Sequence, residues 1–347
     1  MSRLTELFGV DLPIVLGPFG GLSSVELAAA VSGAGGLGSF GLYGYGPDRI
    51  ATTIAALRAA TDHPVAVNVW LPRGDEVAPA DVDLAASRTA LAPLSAAAGV
   101  DVPAPPSAFL PDVADQLDAV FAARPDVLSV VFGVPDAATR ARAHDLGIRL
   151  VGTATSVAEA VALEAAGVDA IVATGAEAAG HRVSFLRAPE DSLVGTFALV
   201  PQVADAVGVP VIAAGGIADR RGVAAAFALG AEGVQVGTAF LRTRQSAARP
   251  SHRAAIAAAA DTSTVLTRAM SGRLARGIPN RAVREIEGRG TIAPFPAQNW
   301  LTGVFRAAAA ANDDGDLLSL WAGQAAGISR LDDAVEVMAE LRAGLPG

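Results

Sequence analysis

Short apolar runs recur along the chain, and an alanine-rich amphipathic segment follows most of them. Eight of these runs are nearly continuous in Val, Ile, Leu and Ala, with little polar alternation. This pattern is typical of strands that are buried on both faces of a parallel sheet. We predict strands at residues 13–16, 37–40, 65–69, 127–132, 150–152, 170–173, 211–213 and 233–236.

Helical segments fill most of the gaps between these runs. We predict helices at residues 24–32, 47–61, 137–146, 157–166 and 221–229, and one near the end of the chain at 331–341. Pro47 suits a first helical turn, and glycine follows four of the helices, at Gly33, Gly147, Gly167 and Gly230. The first strand–helix turn lacks the Gly-x-Gly-x-x-Gly of a dinucleotide-binding sheet. Eight β units therefore predict an α/β TIM (β/α)8 barrel rather than a doubly wound sheet.

Two segments do not fit the repeating unit. For residues 74–111, rich in proline and alanine, we predict a helix and a loop over the barrel mouth. Residues 242–305 follow the eighth strand, are polar and contain arginines, which indicates a small helical cap that contributes to the substrate site. We predict a barrel over 1–241, this cap over 242–305, and a segment over 306–347 that returns to the barrel.

The composition excludes several kinds of chemistry. The 347 residues contain no cysteine, and all 26 residues counted as Lys+Arg are arginine, so neither a thiolate nor a lysine Schiff base is available. A net charge of −9 without a dense arginine cluster argues against nucleic acid as a partner. Because we find neither an apolar run that could span a membrane nor a signal-peptide core in residues 1–10, we expect a cytoplasmic protein. We expect it to be a monomer or a homodimer.

In a (β/α)8 barrel, functional residues lie at the carboxyl ends of the strands. Gly215 and Gly216 follow the seventh predicted strand, and Gly237 and Thr238 follow the eighth. Backbone amides exposed at two adjacent turns, with a helix N-terminus behind them, predict a phosphate site that needs no lysine. The alternative is that these glycines only close tight turns.

Two polar residues follow or end other predicted strands. The amide of Asn68 could bind either backbone groups or the ring carbonyl and N–H of a planar heterocycle. His181 closes a loop of small residues after the sixth strand, where it is either a surface histidine or a general base, since an imidazole pKa of about 6.5 suits catalysis near neutral pH. The remaining histidines, at positions 63, 144 and 252, lack ligand spacing, so we expect no metal site.

Stretches along nearly the whole chain share a pattern with one enzyme family. The most specific is Glu177-Ala-Ala-Gly-His181, and the others are residues 13–19, 28–38, 67–68, 129–133, 213–217, 235–238 and 321–327. In these stretches the chain resembles the nitronate monooxygenase (2-nitropropane dioxygenase) family of FMN-dependent TIM barrels, which also includes flavin enoyl-acyl-carrier-protein reductases.

The resemblance implies FMN as the cofactor and His181 as the catalytic base. The implied cofactor-binding positions lie at the strand ends and in the tail: Gly17, Pro18, Phe19, Asn68, Thr153, Thr174, Ala179, Gly180, Ala214, Gly215, Gly216, Gln235, Val236, Gly237, Thr238, Trp321 and Gln324. The chain departs from the family's usual residues at Gly17, Phe19, Thr153, Thr174, Ala179 and Val183.

We therefore expect FMN-dependent oxidation of alkyl nitronates, or of the parent nitroalkanes, by O2. The alternatives are NAD(P)H-dependent reduction of enoyl thioesters on the same barrel, and a catalytically silent flavin-binding barrel. The resemblance also implies that the barrel over 1–241 binds FMN, and we expect the helix of 74–111 to place its apolar face over the flavin edge. Such an apolar lid would favour short alkyl nitronates. A preference for carboxylated nitronates would instead point to Arg182 or Arg187 as a carboxylate clamp.

Overall fold

The computed structural model describes residues 2–347, and its centre is a sheet of eight parallel strands. These are β1 (Ile14–Leu16), β2 (Gly38–Gly41), β3 (Val65–Trp70), β4 (Val127–Val131), β5 (Arg149–Ala154), β6 (Ala170–Thr174), β8 (Val211–Ala214) and β9 (Gly233–Val236), in the order β1-β9-β8-β6-β5-β4-β3-β2. A parallel bridge between Val15 and Leu37 links the two edge strands. The sheet is therefore a nearly closed TIM barrel, as the sequence predicted.

The predicted strands all occur, with small shifts at their ends. The last one, at 233–236, has the predicted bounds, whereas β5 is longer than predicted and includes Thr153. β4 ends one residue early, because Phe132 has a positive φ of 69° that breaks the extended backbone.

Helices surround the barrel and begin at residues that suit helix starts. Side chains of Ser24, Asp136, Ser156 and Asp219 accept hydrogen bonds from first-turn amides of their helices. The helices are α1 (Arg3–Phe8), α2 (Val25–Gly33), α3 (Pro47–Ala60), α4 (Ala85–Ala97), α5 (Val113–Ala123), α6 (Ala137–Asp145), α7 (Val157–Ala165), α8 (Thr196–Ala206), α9 (Arg220–Ala228), α10 (Thr238–Leu241), α11 (Pro250–Ala257), α12 (Arg281–Arg289), α13 (Ala297–Asn312) and α14 (Ala334–Arg342). In residues 2–347, none is long and apolar enough to cross a bilayer.

The barrel interior is a packed apolar core rather than a pore. Inward-facing residues such as Val15, Val127 and Ile212 are buried in one cluster with Leu4 and Phe8 of α1. A second layer of buried residues packs the helices onto the outside of the strands. The interior is thus filled, and the space for a ligand lies at the carboxyl ends of the strands.

A separate apolar core lies beside the barrel. It joins α4 of the 74–111 segment to α12 and α13, with Leu91, Leu94, Ile286, Leu301 and Phe305 buried together. The prediction that the helix of 74–111 covers the cofactor edge is therefore wrong, because the apolar side chains of α4 are buried against α12 and α13.

The region predicted as a helical cap also contains strands. β10 (Val265–Thr267) and β11 (Ala275–Gly277) form an antiparallel sheet with the two-residue strand β7 (Gly180–His181). α13 continues past the predicted boundary at 305 to Asn312. The division into domains at 241 and 305 stays a prediction.

Gly38 provides a test of how tightly α2 packs on β2. A Cβ there would lie 2.1 Å from the carbonyl oxygen of Ala28 and 2.6 Å from Oγ of Ser32. Gly38→Ala should lower the free energy of unfolding by about 2–3 kcal/mol, measured by urea denaturation, because backbone blocks the added methyl group. Gly33→Ala, where a Cβ meets nothing within 4 Å, is the matched control and should not destabilise. Equal changes in the free energy of unfolding for the two variants would contradict this tight packing of α2 on β2.

Candidate functional site

A cavity of about 460 Å³ opens at the carboxyl ends of the barrel strands. Sixteen of the eighteen predicted site residues line it, including His181, Asn68, Thr153, Gln235 and Trp321. The other eleven are Gly17, Pro18, Phe19, Thr174, Ala179, Gly180, Ala214, Gly215, Gly216, Gly237 and Thr238. Two predicted residues do not line it: Val236 is fully buried in β9, and Gln324 has an exposed side chain.

The turns after β8 and β9 present free backbone donors. In the described chain, the amides of Gly215, Gly216, Gly237 and Thr238 donate no hydrogen bond to another protein group. Gly215 and Gly216 have φ of 101° and 74°, a conformation that L side chains rarely adopt. Four unused donors at two adjacent turns, with α10 beginning at Thr238, fit an anionic group such as a phosphate.

Asn68 is buried at the end of β3 with one side of its amide in use. Its Nδ2 donates to Oγ of Ser129 at 2.7 Å and to the Ser129 carbonyl at 3.2 Å. Its Oδ1 has no hydrogen-bond partner among the described residues. Asn68 therefore binds the neighbouring strand and can still accept a hydrogen bond from a ring N–H in the cavity.

Buried polar contacts fix the loop that contains His181. Glu177 accepts hydrogen bonds from the amide and hydroxyl of Thr196 at the start of α8. Glu159, fully buried, accepts from the amides of Phe185 and Leu186 just after the histidine. Since both carboxylates hold the loop by several bonds, the position of His181 follows from the packing of α7 and α8.

Ser271 determines the tautomer of His181. The Ser271 hydroxyl is 2.8 Å from Nε2 of His181, and it also contacts the carbonyl and the amide of Arg273, each at 3.2 Å. A hydroxyl has one proton, and a carbonyl can only accept it. When all three bonds form, Nε2 of His181 must donate to Ser271. This leaves Nδ1 as the unprotonated nitrogen, and Nδ1 has no hydrogen-bond partner in the described chain.

The surroundings of His181 favour its neutral form. The rings of Trp70, Trp321 and Phe132 lie 4.9, 5.4 and 6.5 Å from the imidazole, centre to centre. Burial, and then the charges of Arg273 and Arg306, lower the pKa of His181 to about 3. The imidazole is therefore uncharged throughout the physiological pH range.

Several cavity residues were not predicted from the sequence. Arg306 of α13 donates to the side chain and carbonyl of Asn299, but no carboxylate within 4.0 Å balances its charge in the described chain, and its buried Nε has no partner. Burial lowers the pKa of Arg306 only to about 10, so it stays charged at neutral pH. Nδ2 of Asn299 donates to the hydroxyl of Tyr43, and burial raises the pKa of Tyr43 to about 12. The cavity thus contains an unpaired cation beside a neutral imidazole.

The sequence held a signal for only some of these residues. Tyr43 lies two residues beyond β2, and Trp70 lies two residues beyond Asn68 on the same strand face, so the strand-end rule could have found both. Asn299 and Arg306 are seven residues apart on one face of α13, but nothing local places that face at the barrel mouth.

Neither arginine proposed as a carboxylate clamp lines the cavity. Arg182 is 2% exposed and donates to the carbonyls of Gly175 at 2.6 Å and Thr174 at 3.1 Å, so it holds the loop together. Arg187 is exposed on the surface. The clamp prediction is therefore wrong, because one side chain is used by backbone carbonyls and the other lies outside.

The C-terminal segment contacts the site through its backbone. The amide of Gly323 donates to Oγ1 of Thr238 at 3.0 Å, and the amide of Gln324 donates to the Glu177 carbonyl at 2.9 Å. Trp321 bridges to Gly277 of β11 and lines the cavity. Gln324 thus contributes its backbone amide, which holds the C-terminal segment against the loop that contains Glu177.

The residues of the cavity fit a flavin. The free amides match a phosphate, the free Oδ1 of Asn68 matches a ring N–H, and Trp321 adds an aromatic wall. The described residues hold no cluster of His, Asp or Glu that could bind a metal ion. The barrel, the free amides of the turns after β8 and β9, and the histidine together define a cofactor-dependent (β/α)8 enzyme.

Comparisons with known proteins give the family. The family model described as nitronate monooxygenase matches residues 1–344. A probable nitronate monooxygenase of Staphylococcus aureus (strain MRSA252) is 39% identical over 343 residues, which cover 98% of this chain and 96% of the relative. The chain therefore belongs to the nitronate monooxygenase family, and it is a flavin-dependent oxidoreductase.

Solved structures agree with this family. The nitroalkane oxidase from Streptomyces ansochromogenes is 37% identical, with a TM-score of 0.88 over 99% of this chain and 97% of that chain. FabK from Thermotoga maritima is 30% identical, with a TM-score of 0.77 over 99% of this chain and 95% of that chain.

The protonation state of His181 can be measured directly. In a nuclear magnetic resonance titration of the substrate-free protein, the His181 signal should not titrate between pH 8 and pH 5, because burial and two arginines disfavour the charged form. The same histidine in urea-unfolded protein should titrate near pH 6.5. Comparison with spectra of His181→Asn assigns the signal. A native-state midpoint near 6.5 would contradict this account.

Proposed function

We propose that this protein oxidises alkyl nitronates with O2, with FMN as its cofactor and His181 as the residue that anchors the nitronate and acts as base toward nitroalkanes. The observation that supports this most directly is that Arg306, which has no carboxylate partner in the described chain, and a neutral His181 line the same cavity. A nitronate is an anion with its charge on the nitro oxygens, so it can balance the arginine and contact the imidazole together.

The cofactor proposal rests on the amide cradle. We infer that Gly215, Gly216, Gly237 and Thr238 hold the phosphate of FMN, and that Asn68 and Trp321 contact the ring. FMN, when bound, accepts electrons from the substrate and passes them to O2. FAD would need space for an adenylate beyond the cradle, so we favour FMN.

The charges in the cavity favour nitronates over neutral nitroalkanes. A general base works best with a pKa near the operating pH, whereas the pKa of the free His181 is about 3. A bound anion opposes the effect of Arg273 and Arg306 and raises the imidazole pKa from this value. His181 is then a better partner for a substrate that has already lost its proton, and a weak base toward one that has not.

The decisive test follows the visible spectrum of the purified protein. We expect the absorption of an oxidised flavin, which anaerobic ethyl nitronate should bleach and O2 should restore. Rapid bleaching by NADPH, with no response to the nitronate, would contradict the proposal and support enoyl-thioester reduction. No response to either compound would indicate a silent flavin-binding barrel.

The two roles of His181 can be separated by substitution. His181→Asn should retain flavin, because the cradle is backbone from other loops, and should lower kcat/KM for neutral nitroethane about a hundredfold, the lower end of the usual range for loss of a general base, because a pKa of about 3 makes His181 a weak base. Oxidation of pre-formed ethyl nitronate should fall less, since that proton is already gone. Steady-state O2 consumption with both substrates measures this. Equal losses would leave only the anchoring role, and unchanged rates would remove both.

The cradle can be tested at Gly237. Gly237→Leu should abolish FMN retention, because its side chain would occupy space beside the free amides, where a Cβ already lies 3.4 Å from the Phe19 ring. Gly46→Leu, at the start of α3 and outside the cavity lining, is the control and should keep its flavin. Flavin content per protein after desalting, with circular dichroism to verify folding, gives the result. Full retention in Gly237→Leu would place the phosphate elsewhere.

A further inference from the structure

A second cavity of about 320 Å³ adjoins the main one. The two cavities share Tyr43, Gly44 and Trp70 as lining residues. We call the second cavity the side chamber. Its far wall contains Leu110 and Pro111, the last residues of the segment predicted as a lid, and Val113 at the start of α5.

The polar groups of the side chamber are already used. Glu76 pairs with Arg273, whose guanidinium lies 3.9 Å from the centre of the Phe295 ring. Asp112 accepts from the amide of Ala114 at 2.7 Å, and Gln116 donates to the Tyr45 carbonyl at 2.8 Å. Asp112 has no salt-bridge partner among the described residues, but it is exposed at the N-terminus of α5, and the rest of the free chamber surface is mainly apolar.

The size of the side chamber suits an alkyl group. An engineered apolar cavity of about 150 Å³ is large enough to bind benzene. The side chamber has about twice that volume, and of the three residues that it shares with the main cavity, Gly44 has no side chain.

We propose that the side chamber binds the alkyl tail of the substrate, so that the protein prefers nitronates with chains of about six carbons or more over nitronates of two or three. This inference rests on nitronate oxidation in the main cavity. The nitronate group stays beside His181 and Arg306, and the tail passes Gly44 to reach Leu110 and Val113. The preference for short chains expected from the sequence is thereby reversed.

The first test is a chain-length series of primary alkyl nitronates, from ethyl to octyl, with the flavin-loaded protein. Burial of each methylene favours binding by up to about fourfold, so kcat/KM should rise with each carbon until the chamber is full. Leu110→Trp and Val113→Trp fill the chamber and should remove this rise. Leu186→Trp, at a residue 53% exposed that lines neither cavity, is the matched control.

Calorimetric titration with hexan-1-ol separates this inference from the proposed function. The alcohol should bind the wild type and Leu186→Trp, and should bind both chamber-filling variants at least tenfold more weakly. If nitronates of every length are inert but this pattern holds, the proposed function fails and the alkyl site stands. Equal hexanol affinity in all four proteins, or a wild-type kcat/KM that does not rise beyond propyl nitronate, would overturn the inference.

Discussion

The pairing of β1 with its two neighbouring strands is the constraint on which the site depends. The amide of Leu37 donates to the Ile14 carbonyl and the Leu37 carbonyl accepts from the amide of Leu16, both at 2.9 Å, so β1 lies between β2 and β9. The pairing with β9 continues into a hydrogen bond from the Gly17 amide to the Val236 carbonyl at 2.8 Å, and a Cβ on Gly17 would lie 3.1 Å from the Gly237 Cα. The turn after β1 and the free amides after β9 therefore form one surface because β1 and β9 are paired.

Arginine is the only basic residue type in the chain apart from histidine, and this determines how charge is balanced in the cavity. An arginine keeps its charge when buried, so Arg306 stays positive where a lysine could lose its proton. Burial, and then the charges of Arg273 and Arg306, hold the nearby imidazole neutral. An anion bound in the cavity would balance the charge of the Arg306 guanidinium and raise the pKa of His181. The same arrangement limits the imidazole as a base when the ligand is uncharged.

The sequence predicted the barrel because its strands are buried on both faces. Such strands appear in the sequence as continuous apolar runs, which can be identified without knowing which other parts of the chain they contact. The strand-end rule then located most of the cavity, including His181 and the glycine turns. It could not place α4, whose alanine-rich pattern shows that it has an apolar face but not what covers that face. The partners, α12 and α13, lie about 200 residues further along the chain. Arg306 was missed for the same reason.

The 74–111 segment acts on the site through α13 rather than by covering it. On α13, Leu301 and Phe305 are buried in the core shared with α4, whereas Asn299 and Arg306 line the cavity. Because a helix is rigid over these two turns, packing against α4 fixes where the guanidinium lies. An unpaired buried cation costs free energy, and the second core offsets that cost. The apolar contacts of α4 are therefore part of what holds a positive charge beside His181.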